Sequence, residues 1–336
     1  MKIVIFEVEA WERPAFEKLG PDHEVVTLSE ALTPHTLADY SDAEIISTFI
    51  YSQLDRGVLE RFERLRLICT RSTGFDHIDL DFCRERAVAI CNVPTYGQNT
   101  VAEHVFGLLL TLSHKLDQAV ERTRRGDFSL KGLQGFDLFG KTLGVIGTGD
   151  IGRCVIRIAR GFGMKVVAYD VNPNEALARE LGFLYVGLND LLAVSDVISL
   201  HVPDNPKTRH MISWEQFERM KPGVVLINTA RGQVIHTQSL IRALAEGKVS
   251  GAGLDVLPEE PVIREEAELL RSVYQRNHDL ENLLADHILL RLRNIIVTPH
   301  SAFNTREAVQ RIIDVTIENI VAFAAGRPQN VVKPKS

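Results

Sequence analysis

Polar side chains with distinct chemistry follow three apolar runs of the sequence. Arg231 comes shortly after the run 224–227, Asp255 ends the run 251–255, and His300 follows the run 295–298. A guanidinium fork suits bidentate binding of an anion, and an imidazole can donate or accept a proton near neutral pH. Taken singly, such an arginine is commonly part of a surface salt bridge, and such a histidine is commonly structural. The three together favour a catalytic site if a ligand-binding motif accompanies them.

Gly147, Gly149 and Gly152 form such a motif, G-x-G-x-x-G. The motif alone is weak, but here an apolar segment (142–146) leads into it and an amphipathic helical pattern (151–162) follows it. In dinucleotide-binding folds the first glycine makes a tight turn, the second lets backbone approach a pyrophosphate, and the third lets helix and strand pack closely. The helix N-terminus then presents free N–H groups to the phosphates. The context therefore predicts a dinucleotide site rather than an ordinary glycine turn.

Asp170 bears on which dinucleotide would bind. It follows the next predicted strand (165–169), close to the spacing of about 20 residues at which a carboxylate accepts hydrogen bonds from the adenosine ribose. The segment 171–174 contains neither Arg nor Lys, so a 2′-phosphate would meet only repulsion. This predicts NAD rather than NADP. Asp150 places a second carboxylate beside the expected pyrophosphate, where Arg153 can offset its charge.

Short apolar runs alternate with helical patterns along the whole chain, which predicts parallel sheets covered by helices on both faces. The predicted strands fall into two series, 3–6, 44–49, 67–70 and 88–91, then 142–146, 165–169, 197–202, 224–228, 251–255 and 295–298. Helical patterns at 101–116 and 305–325 lie where the chain would pass between domains. We therefore predict an α/β fold of two doubly wound, Rossmann-like parallel-sheet domains with a cleft between them. The first, discontinuous domain comprises 1–100 and 300–336, and the second comprises 101–299.

Composition and charge bear on partners and compartment. The 336 residues carry a formal net charge of −6 and no basic cluster, which argues against a nucleic-acid partner. The four cysteines form no C-x-x-C pair and no zinc-ligand spacing, so we expect reduced, mostly buried thiols and no metal. Glu7 comes too early for a signal peptide, and no apolar run approaches the ~20 residues of a membrane span. These features predict a cytoplasmic protein that does not contact a membrane.

Several motifs in a fixed order make the chain resemble the D-2-hydroxyacid dehydrogenase family over nearly its whole length. The motifs are Thr-Gly-Phe-Asp-His-Ile-Asp-Leu (73–80), Val-Pro-Thr-Tyr (93–96), Val-Ala-Glu-His (101–104), the glycine motif, His-Val-Pro (201–203), Asn-Thr-Ala-Arg-Gly (228–232), the segment 255–261 and Thr-Pro-His (298–300). Segments 50–55 and 299–303 are similar to the D-lactate dehydrogenase branch. The resemblance implies NAD-dependent hydride transfer on a small 2-hydroxy or 2-keto acid, with pyruvate and D-lactate as the expected pair.

The resemblance also implies catalytic roles. Arg231 would bind the substrate carboxylate and keto oxygen, and His300 would be the general acid in keto-acid reduction and the base in the reverse direction. Glu260 would hydrogen-bond His300 and orient it. Glu259 is an alternative partner, although the spacing from Asp255 favours Glu260. We read His104, together with His77 and His201, as structural.

Binding roles transfer in the same way. The substrate would contact backbone N–H groups of Thr73 and Gly74 and the side chains of Tyr51, Tyr96, Arg231 and Phe303. The cofactor would contact Gly147, Gly149, Asp150, Ile151, Gly152, Asp170, Val202, Pro203, Thr208, Thr229, Ala230 and Asp255. We also expect a homodimer, and we assign no role to 262–292, which we interpret as a helical excursion on the surface.

Alternative functions remain open within and beyond this family. Within the family, the alternative is a dehydrogenase for another 2-hydroxy acid, such as hydroxyisocaproate, glycerate or phenyllactate. Formate dehydrogenase is disfavoured, because relatives with that activity pair the histidine with glutamine and this chain offers Glu260. An NAD-sensing scaffold similar to transcriptional corepressors is also less favoured, because such scaffolds carry long tails and we expect almost none here.

Overall fold

The computed structural model describes residues 1–33, 36–75, 77–258 and 288–332. The chain divides into two compact units, Met1–Tyr96 with Thr305–Ser336, and Gly97–Asn304. Each unit contains a parallel sheet flanked by helices, so the predicted α/β class is confirmed.

The sheet of the first unit has the strand order β2-β1-β3-β4-β5 among the described residues, and every neighbouring pair is parallel. The strands are β1 (Lys2–Ile5), β2 (Glu24–Thr27), β3 (Ile45–Thr48), β4 (Leu67–Thr70) and β5 (Ala89–Cys91). The helices are α1 (Arg13–Phe16), α2 (Arg56–Leu59), α3 (Leu80–Glu85) and a C-terminal helix (Arg306–Ala324), with 3-10 turns at Glu17–Leu19 and Thr36–Asp39. The chain passes from β1 to β2 on one side and then to β3 on the other, so the strand order reverses between β1 and β3.

The sheet of the second unit has the order β12-β11-β10-β9-β6-β7-β8 among the described residues and is also parallel. The strands are β6 (Thr142–Ile146), β7 (Lys165–Tyr169), β8 (Leu184–Tyr185), β9 (Val197–Leu200), β10 (Val224–Asn228), β11 (Val249–Leu254) and β12 (Ile295–Val297). The helices are α4 (Gln98–His114), α5 (Leu116–Arg124), α6 (Asp150–Gly161), α7 (Glu175–Leu181), α8 (Leu188–Val194), α9 (Trp214–Arg219) and α10 (Thr237–Ala245), with a 3-10 turn at Gly232–Val234. Here the strand order reverses between β6 and β9.

The central strands are buried on both faces, as in parallel sheets covered by helices. All residues of β3, β4, β9 and β10 are buried. Helix α4 packs its apolar face, which includes Val105, Leu108 and Leu109, into the same core as β6 and α6. Each such side chain contributes about 1.5–3 kcal/mol by burial.

The sequence interpretation missed two strands and misplaced one helix. Strand β2 is only partly buried, and β8 has two residues, so neither shows a continuous apolar run. The helix predicted at 101–116 begins at Gln98 and ends at His114, because Lys115 adopts a left-handed conformation (φ 50°) and α5 begins directly after it.

The chemistry of the cysteines agrees with the sequence interpretation. All four cysteines are buried, and none forms a disulfide. Burial raises the pKa of the Cys83 thiol to about 11, so it is protonated at neutral pH. No helix in the described part of the chain is long and apolar enough to cross a membrane.

Candidate active site

The three reactive segments of the second unit lie at one edge of its sheet. Asn228 pairs with Leu254, and Leu254 pairs with Val297, so the carboxyl ends of β10, β11 and β12 are in register. Arg231, Asp255 and His300 follow these ends within three residues. In open α/β sheets this edge is where ligands bind.

The loop that carries Arg231 is fixed by the fully buried side chain of Asn228. Its amide nitrogen donates to the Arg231 carbonyl oxygen (3.0 Å), and its amide oxygen accepts from the Ala230 N–H (3.0 Å). A glycine is required at position 232, directly after Arg231, because a Cβ at this position would lie 2.3 Å from the carbonyl carbon of Leu257. The Arg231 loop therefore packs directly against the segment that follows Asp255, and the half-buried Arg231 side chain starts from a fixed backbone.

Asp255 organises the turn that carries His300. Its carboxylate accepts hydrogen bonds from the Thr298 hydroxyl (2.5 Å) and from the Ser301 and Ala302 N–H groups (2.9 Å each). Its backbone oxygen accepts from the His300 N–H (3.0 Å). His300 has a positive φ of 51°, which is uncommon for a residue with a side chain and is held here by these contacts.

Asp255 is ionised although it is 1% exposed. Burial acts to raise the pKa of its carboxyl group, but hydrogen bonds from His104, Thr298 and Ala302 outweigh burial and lower that pKa below its usual range. The Nε2 atom of His104 lies 3.4 Å from the Asp255 carboxylate and 3.0 Å from the Thr298 hydroxyl. The structure thus joins His104 to the His300 turn through Asp255.

Two predicted residues cannot be placed. Glu259 and Glu260 lie outside the described residues, so the contact between His300 and a glutamate stays a prediction. The predicted excursion at 262–292 also lies outside them, apart from residues 288–292.

The glycine motif has three different local geometries. Gly147 has a φ of +95°, and a Cβ there would lie 2.4 Å from the His201 carbonyl oxygen. A Cβ at Gly149, the residue before α6, would meet no atom of the described residues within 4 Å. A Cβ at Gly152 would lie 2.1 Å from the Gly147 carbonyl oxygen. A forced turn, open space at a helix N-terminus and a close helix–strand contact match the three roles expected of a dinucleotide motif.

Asp170 lies beside this turn at the end of β7. One carboxylate oxygen accepts from the Thr148 N–H (2.7 Å) and hydroxyl (2.9 Å), and the other accepts from the Asn172 N–H (2.9 Å). Burial acts to raise the pKa of Asp170, but these N–H and O–H donors outweigh it and lower the pKa. The group is therefore an anion at neutral pH.

Asp150 lies in the first turn of α6 with its side chain 60% exposed, and Ile151 after it is half-buried. The guanidinium of Arg153 lies 3.6 Å from the Asp150 carboxylate. Arg153 also donates to the Thr148 carbonyl oxygen (3.1 Å), which keeps its charge beside the motif. Arg153 is therefore placed to offset the charge of Asp150, as expected from the sequence.

The remaining predicted cofactor residues follow β9 and β10. The Thr208 hydroxyl closes a turn by donating to the Pro203 carbonyl oxygen (2.5 Å), while Val202 lies against Gly147. Thr229 is 9% exposed, and its hydroxyl oxygen finds no hydrogen-bond partner among the described residues. Ala230 is held by Asn228 as described above. His201 has its Nε2 atom 2.8 Å from the Ser199 hydroxyl, and burial lowers the pKa of its ring to about 3.

Four of the predicted substrate residues belong to the first unit. Tyr51 is 51% exposed in the loop after β3, and Tyr96 accepts a hydrogen bond from Arg311 through its carbonyl oxygen (2.7 Å). Thr73 is held by contacts of its hydroxyl with Val93 (2.9 Å) and of its carbonyl oxygen with Asn92 (2.8 Å). The N–H groups of Thr73 and Gly74 donate to no acceptor within the described residues. Phe303 belongs to the second unit, directly after Ala302 of the His300 turn, and is half-buried.

A protein-family model decides the family. The model for the NAD-binding domain of D-isomer specific 2-hydroxyacid dehydrogenases matches residues 106–302, which is more than half of the chain. The protein belongs to this family.

The dehydrogenase is similar along its whole length to proteins of the D-lactate branch. It is 35% identical to the D-lactate dehydrogenase of Escherichia coli (strain K12), over 97% of this chain and 98% of that one. Its structure matches the D-lactate dehydrogenase of Aquifex aeolicus complexed with NAD and lactic acid with a TM-score of 0.88 and 37% identity, covering 99% and 100% of the two chains. A D-2-hydroxyisocaproate dehydrogenase matches with a TM-score of 0.82 and 29% identity, also covering 99% and 100%.

These matches confirm the predicted fold, family and cofactor. The dehydrogenase is an NAD-dependent oxidoreductase that acts on the CH–OH group of 2-hydroxy acids. Its own residues fit NAD, because Gly149 leaves open space at a helix N-terminus, Asp170 is an anion at the end of β7, and the Thr229 hydroxyl is buried without a partner among the described residues.

The sequence predicts that His104 is a structural hydrogen-bonder, and the structure gives it Thr298 and Asp255 as partners. The sequence analysis missed the role of Asn228, whose amide fixes the Arg231 loop. A buried asparagine at the very end of a strand was the signal available, because such an amide must find partners in the following loop.

Proposed function

We propose that the dehydrogenase reduces pyruvate to D-lactate with NADH, with Arg231 and His300 as its catalytic residues. The observation that carries this proposal is the in-register edge of β10, β11 and β12, which carries a cation, a carboxylate and an imidazole at the same edge of the sheet as the glycine motif after β6. The choice of pyruvate is supported by the names of the relatives, which include D-lactate dehydrogenases from two organisms.

The chain's own residues would divide the work as follows. Arg231 binds the substrate carboxylate and the keto oxygen through its guanidinium fork. His300 donates a proton to that oxygen during reduction and accepts one during oxidation. Asp255 holds the turn that presents His300, and Glu260 orients the imidazole. NADH, when bound, supplies the hydride for reduction of the keto carbon.

The cofactor would lie along the glycine motif. The N–H groups at Gly149, Asp150 and Ile151 would bind the pyrophosphate, and Gly147 and Gly152 would shape the turn that presents them. Asp170 accepts hydrogen bonds from the adenosine ribose, which favours NAD over NADP. Further contacts are assigned to Val202, Pro203, Thr208, Thr229, Ala230 and, at the nicotinamide end, Asp255.

The substrate would be held by backbone and aromatic groups as well as by Arg231. The N–H groups of Thr73 and Gly74, which have no protein acceptor in the described part of the chain, suit a carboxylate. We assign contacts with the group attached to the keto carbon to the side chains of Tyr51, Tyr96 and Phe303. Because these residues would limit the size of that group, the keto acids that correspond to hydroxyisocaproate, glycerate and phenyllactate are the competing substrates.

Steady-state oxidation of NADH with a panel of keto acids tests the substrate. We expect the highest kcat/KM with pyruvate, compared with 2-ketoisocaproate, hydroxypyruvate and phenylpyruvate. Chiral chromatography of the product should show D-lactate, and L-lactate would refute the assignment. Absence of turnover with every keto acid, while NADH still binds, would favour the NAD-sensing scaffold.

Two variants test the proton-transfer residues. His300→Gln should lower kcat by about 10²–10⁴-fold, as for loss of a general acid. Glu260→Gln should also lower kcat for reduction, because a neutral amide does not favour the imidazolium as a neighbouring anion does. An unchanged kcat in Glu260→Gln would assign the orienting role to Glu259.

We further infer a cytoplasmic homodimer. Phe128, Leu130 and Phe139 are 79%, 84% and 81% exposed and lie in one segment of the second unit. Apolar side chains concentrated in this way are typical of a protein interface. We assign a second copy of the chain as the partner, because two-fold symmetric homodimers are the commonest soluble oligomers. Four buried thiols without a disulfide agree with a reducing compartment.

A further inference from the structure

The sheet of the first unit reverses its strand order between β1 and β3, and its carboxyl edge at that point carries the half-buried Glu7 and the buried Arg71. Open α/β sheets bind ligands at such a reversal. Glu7 lies directly beyond β1, and the loop 49–52 lies directly beyond β3. Glu7 has a φ of +58°, a region that residues other than glycine rarely occupy and in which functional sites are enriched.

The Glu7 carboxylate binds the backbone of the loop after β3. One oxygen accepts from the N–H groups of Phe49 (3.1 Å) and Tyr51 (3.2 Å). The other accepts from the Ser52 N–H (3.0 Å) and from the Ser52 hydroxyl. One carboxylate thus binds three N–H groups and a hydroxyl within four residues, and Tyr51 is at the centre of that loop.

Arg71 connects Glu7 to the loop after β4. Its guanidinium is 2% exposed and donates to the carbonyl oxygens of Phe6 (2.7 Å) and Glu7 (2.6 Å) and to the Ser47 hydroxyl (3.3 Å). Burial lowers the pKa of Arg71, and the negative charges of Glu7 and Glu12 oppose that effect. Arg71 is also the residue before the segment 72–74, whose Gly74 carbonyl oxygen accepts from the Ser72 hydroxyl (2.5 Å).

We propose that Glu7 and Arg71 are positioning residues that set the spacing between the Tyr51 loop and the Thr73–Gly74 amides of the keto-acid site. Arg71 holds the end of β1 against β4, and Glu7 holds the Tyr51 loop against the end of β1. Neither side chain needs to touch the substrate. The inference rests on the proposed function of Tyr51, Thr73 and Gly74, and it adds the two groups that fix the distance between them.

Kinetics with Glu7→Gln tests this spacing. The amide keeps the shape of the carboxylate, but its NH₂ group would face N–H donors, so one side of the loop loses its acceptor. We expect KM for pyruvate to rise by about tenfold or more, while kcat changes by less than about threefold and KM for NADH is unchanged. A KM for pyruvate within twofold of wild type, or parallel losses in kcat and both KM values, would overturn the proposal.

Two further variants separate reach and charge from general stability. Glu7→Asp keeps the charge and tolerates the positive φ, but its shorter side chain cannot reach the whole loop, so it should show the same rise in KM. Glu44→Gln is the matched control. Glu44 is a carboxylate at the amino edge of the same sheet, 3.6 Å from Arg66, and its loss should leave KM for pyruvate unchanged. If Glu44→Gln raised KM for pyruvate as much as Glu7→Gln, Glu7 would act only through the general stability of the sheet.

Hydrogen exchange keeps the proposal testable even if the variants fold poorly or the keto-acid assignment fails. In the wild-type protein, the N–H groups of Phe49, Tyr51 and Ser52 should be protected, and Glu7→Gln should remove that protection without affecting β6. Exchange at the unprotected rate in wild type would refute the hydrogen bonding of the loop 49–52 by Glu7. Protected amides in a protein that reduces no keto acid would support that hydrogen bonding and refute the proposed function instead.

Discussion

Asp255 is the residue on which the His300 turn depends. Its carboxylate oxygens accept from one hydroxyl and two N–H groups of residues 298–302. Asp255→Asn would place an NH₂ group against one of these donors and remove charge-assisted hydrogen bonds worth about 1.5–3 kcal/mol each. We expect kcat/KM for pyruvate to fall by about ten- to a hundredfold, and the affinity for NADH, measured by fluorescence titration, to fall as well because Asp255 is assigned to the nicotinamide end of the cofactor.

Asp196→Asn is the matched control for this variant. Asp196 also accepts a backbone N–H, from Thr142 (2.8 Å), and also has a lowered pKa, but it lies at the amino end of β9, away from the His300 turn. It should cost stability without a comparable loss of kcat/KM. Equal losses in the two variants would mean that Asp255 acts only through general stability.

The lowered pKa of Asp255 should make the folded protein less stable at acidic pH. A carboxyl group whose pKa is lower in the folded protein stabilises the fold above its unfolded pKa of about 3.9, and this contribution is lost as pH falls through the folded pKa. The difference in unfolding free energy between wild type and Asp255→Asn should therefore be constant from pH 5 to 7 and shrink below about pH 4. Urea unfolding at several pH values measures it, and a constant difference down to pH 3 would contradict the ionised assignment.

Asp170 should determine the choice between NADH and NADPH. An anion beside a 2′-phosphate repels it by up to several kcal/mol near a protein surface, reduced by salt. We expect wild type to prefer NADH by about a hundredfold in kcat/KM, and Asp170→Asn to narrow that preference by about tenfold. Asparagine suits this test better than alanine, because its oxygen can still accept from Thr148. Equal use of both cofactors by wild type would refute the assignment.

At the scale of the elements, substitutions at two glycines of the motif should affect cofactor binding and protein stability separately. Gly149 has a negative φ, and a Cβ there meets no described atom within 4 Å, so Gly149→Ala should fold normally. That Cβ would occupy the approach to the pyrophosphate, and we expect the Kd for NADH to rise by about tenfold or more. The expected Tm of the free protein is unchanged. A normal Kd would mean that the cofactor passes elsewhere.

Gly152→Ala should behave in the opposite way. Its Cβ would lie 2.1 Å from the Gly147 carbonyl oxygen, so helix α6 must shift away from β6. Overpacking of this kind costs about 1–3 kcal/mol, or a fall in Tm of about 2–12 °C for a unit of this size. Thermal unfolding without NADH measures the effect, and an unchanged Tm would show that the helix–strand contact is loose.

The sequence predicted the strands whose residues are mostly apolar. Strands β6, β7 and β10 were predicted at their observed bounds for this reason, whereas β2 and β8 lie at sheet edges and are too short or too polar to show a continuous apolar run. The position of polar residues after strands also predicted the edge that carries Arg231, Asp255 and His300. Their mutual contacts were not predictable, because they depend on pairing between distant segments. His104 and Thr298, for example, are 194 residues apart.

At the scale of the whole molecule, a net charge of −6 must coexist with two anionic ligands. Under the proposed function, local groups rather than an overall basic surface would bind these anions. Half-buried Arg231, the N-terminus of α6 and the N–H groups of Thr73 and Gly74 would supply donors at short range, where they are screened less than exposed charges. Such local donors explain why the composition, which argues against a nucleic-acid partner, carries no information about small anions.

Oligomeric state is the property of the whole molecule that its surface predicts most directly. Phe128 and Leu130 are 79% and 84% exposed, and burial in an interface would stabilise a dimer by about 1.5–3 kcal/mol for each side chain, counted twice under two-fold symmetry. The double variant Phe128→Ser/Leu130→Ser should therefore weaken the dimer by at least about 10³-fold in Kd. Sedimentation velocity at micromolar concentration should show a dimer for wild type and a monomer for the variant. Leu184→Ser removes another exposed leucine (68%) of the same unit and should remain dimeric. A monomeric wild type, or a dimeric double variant, would refute an interface at this segment.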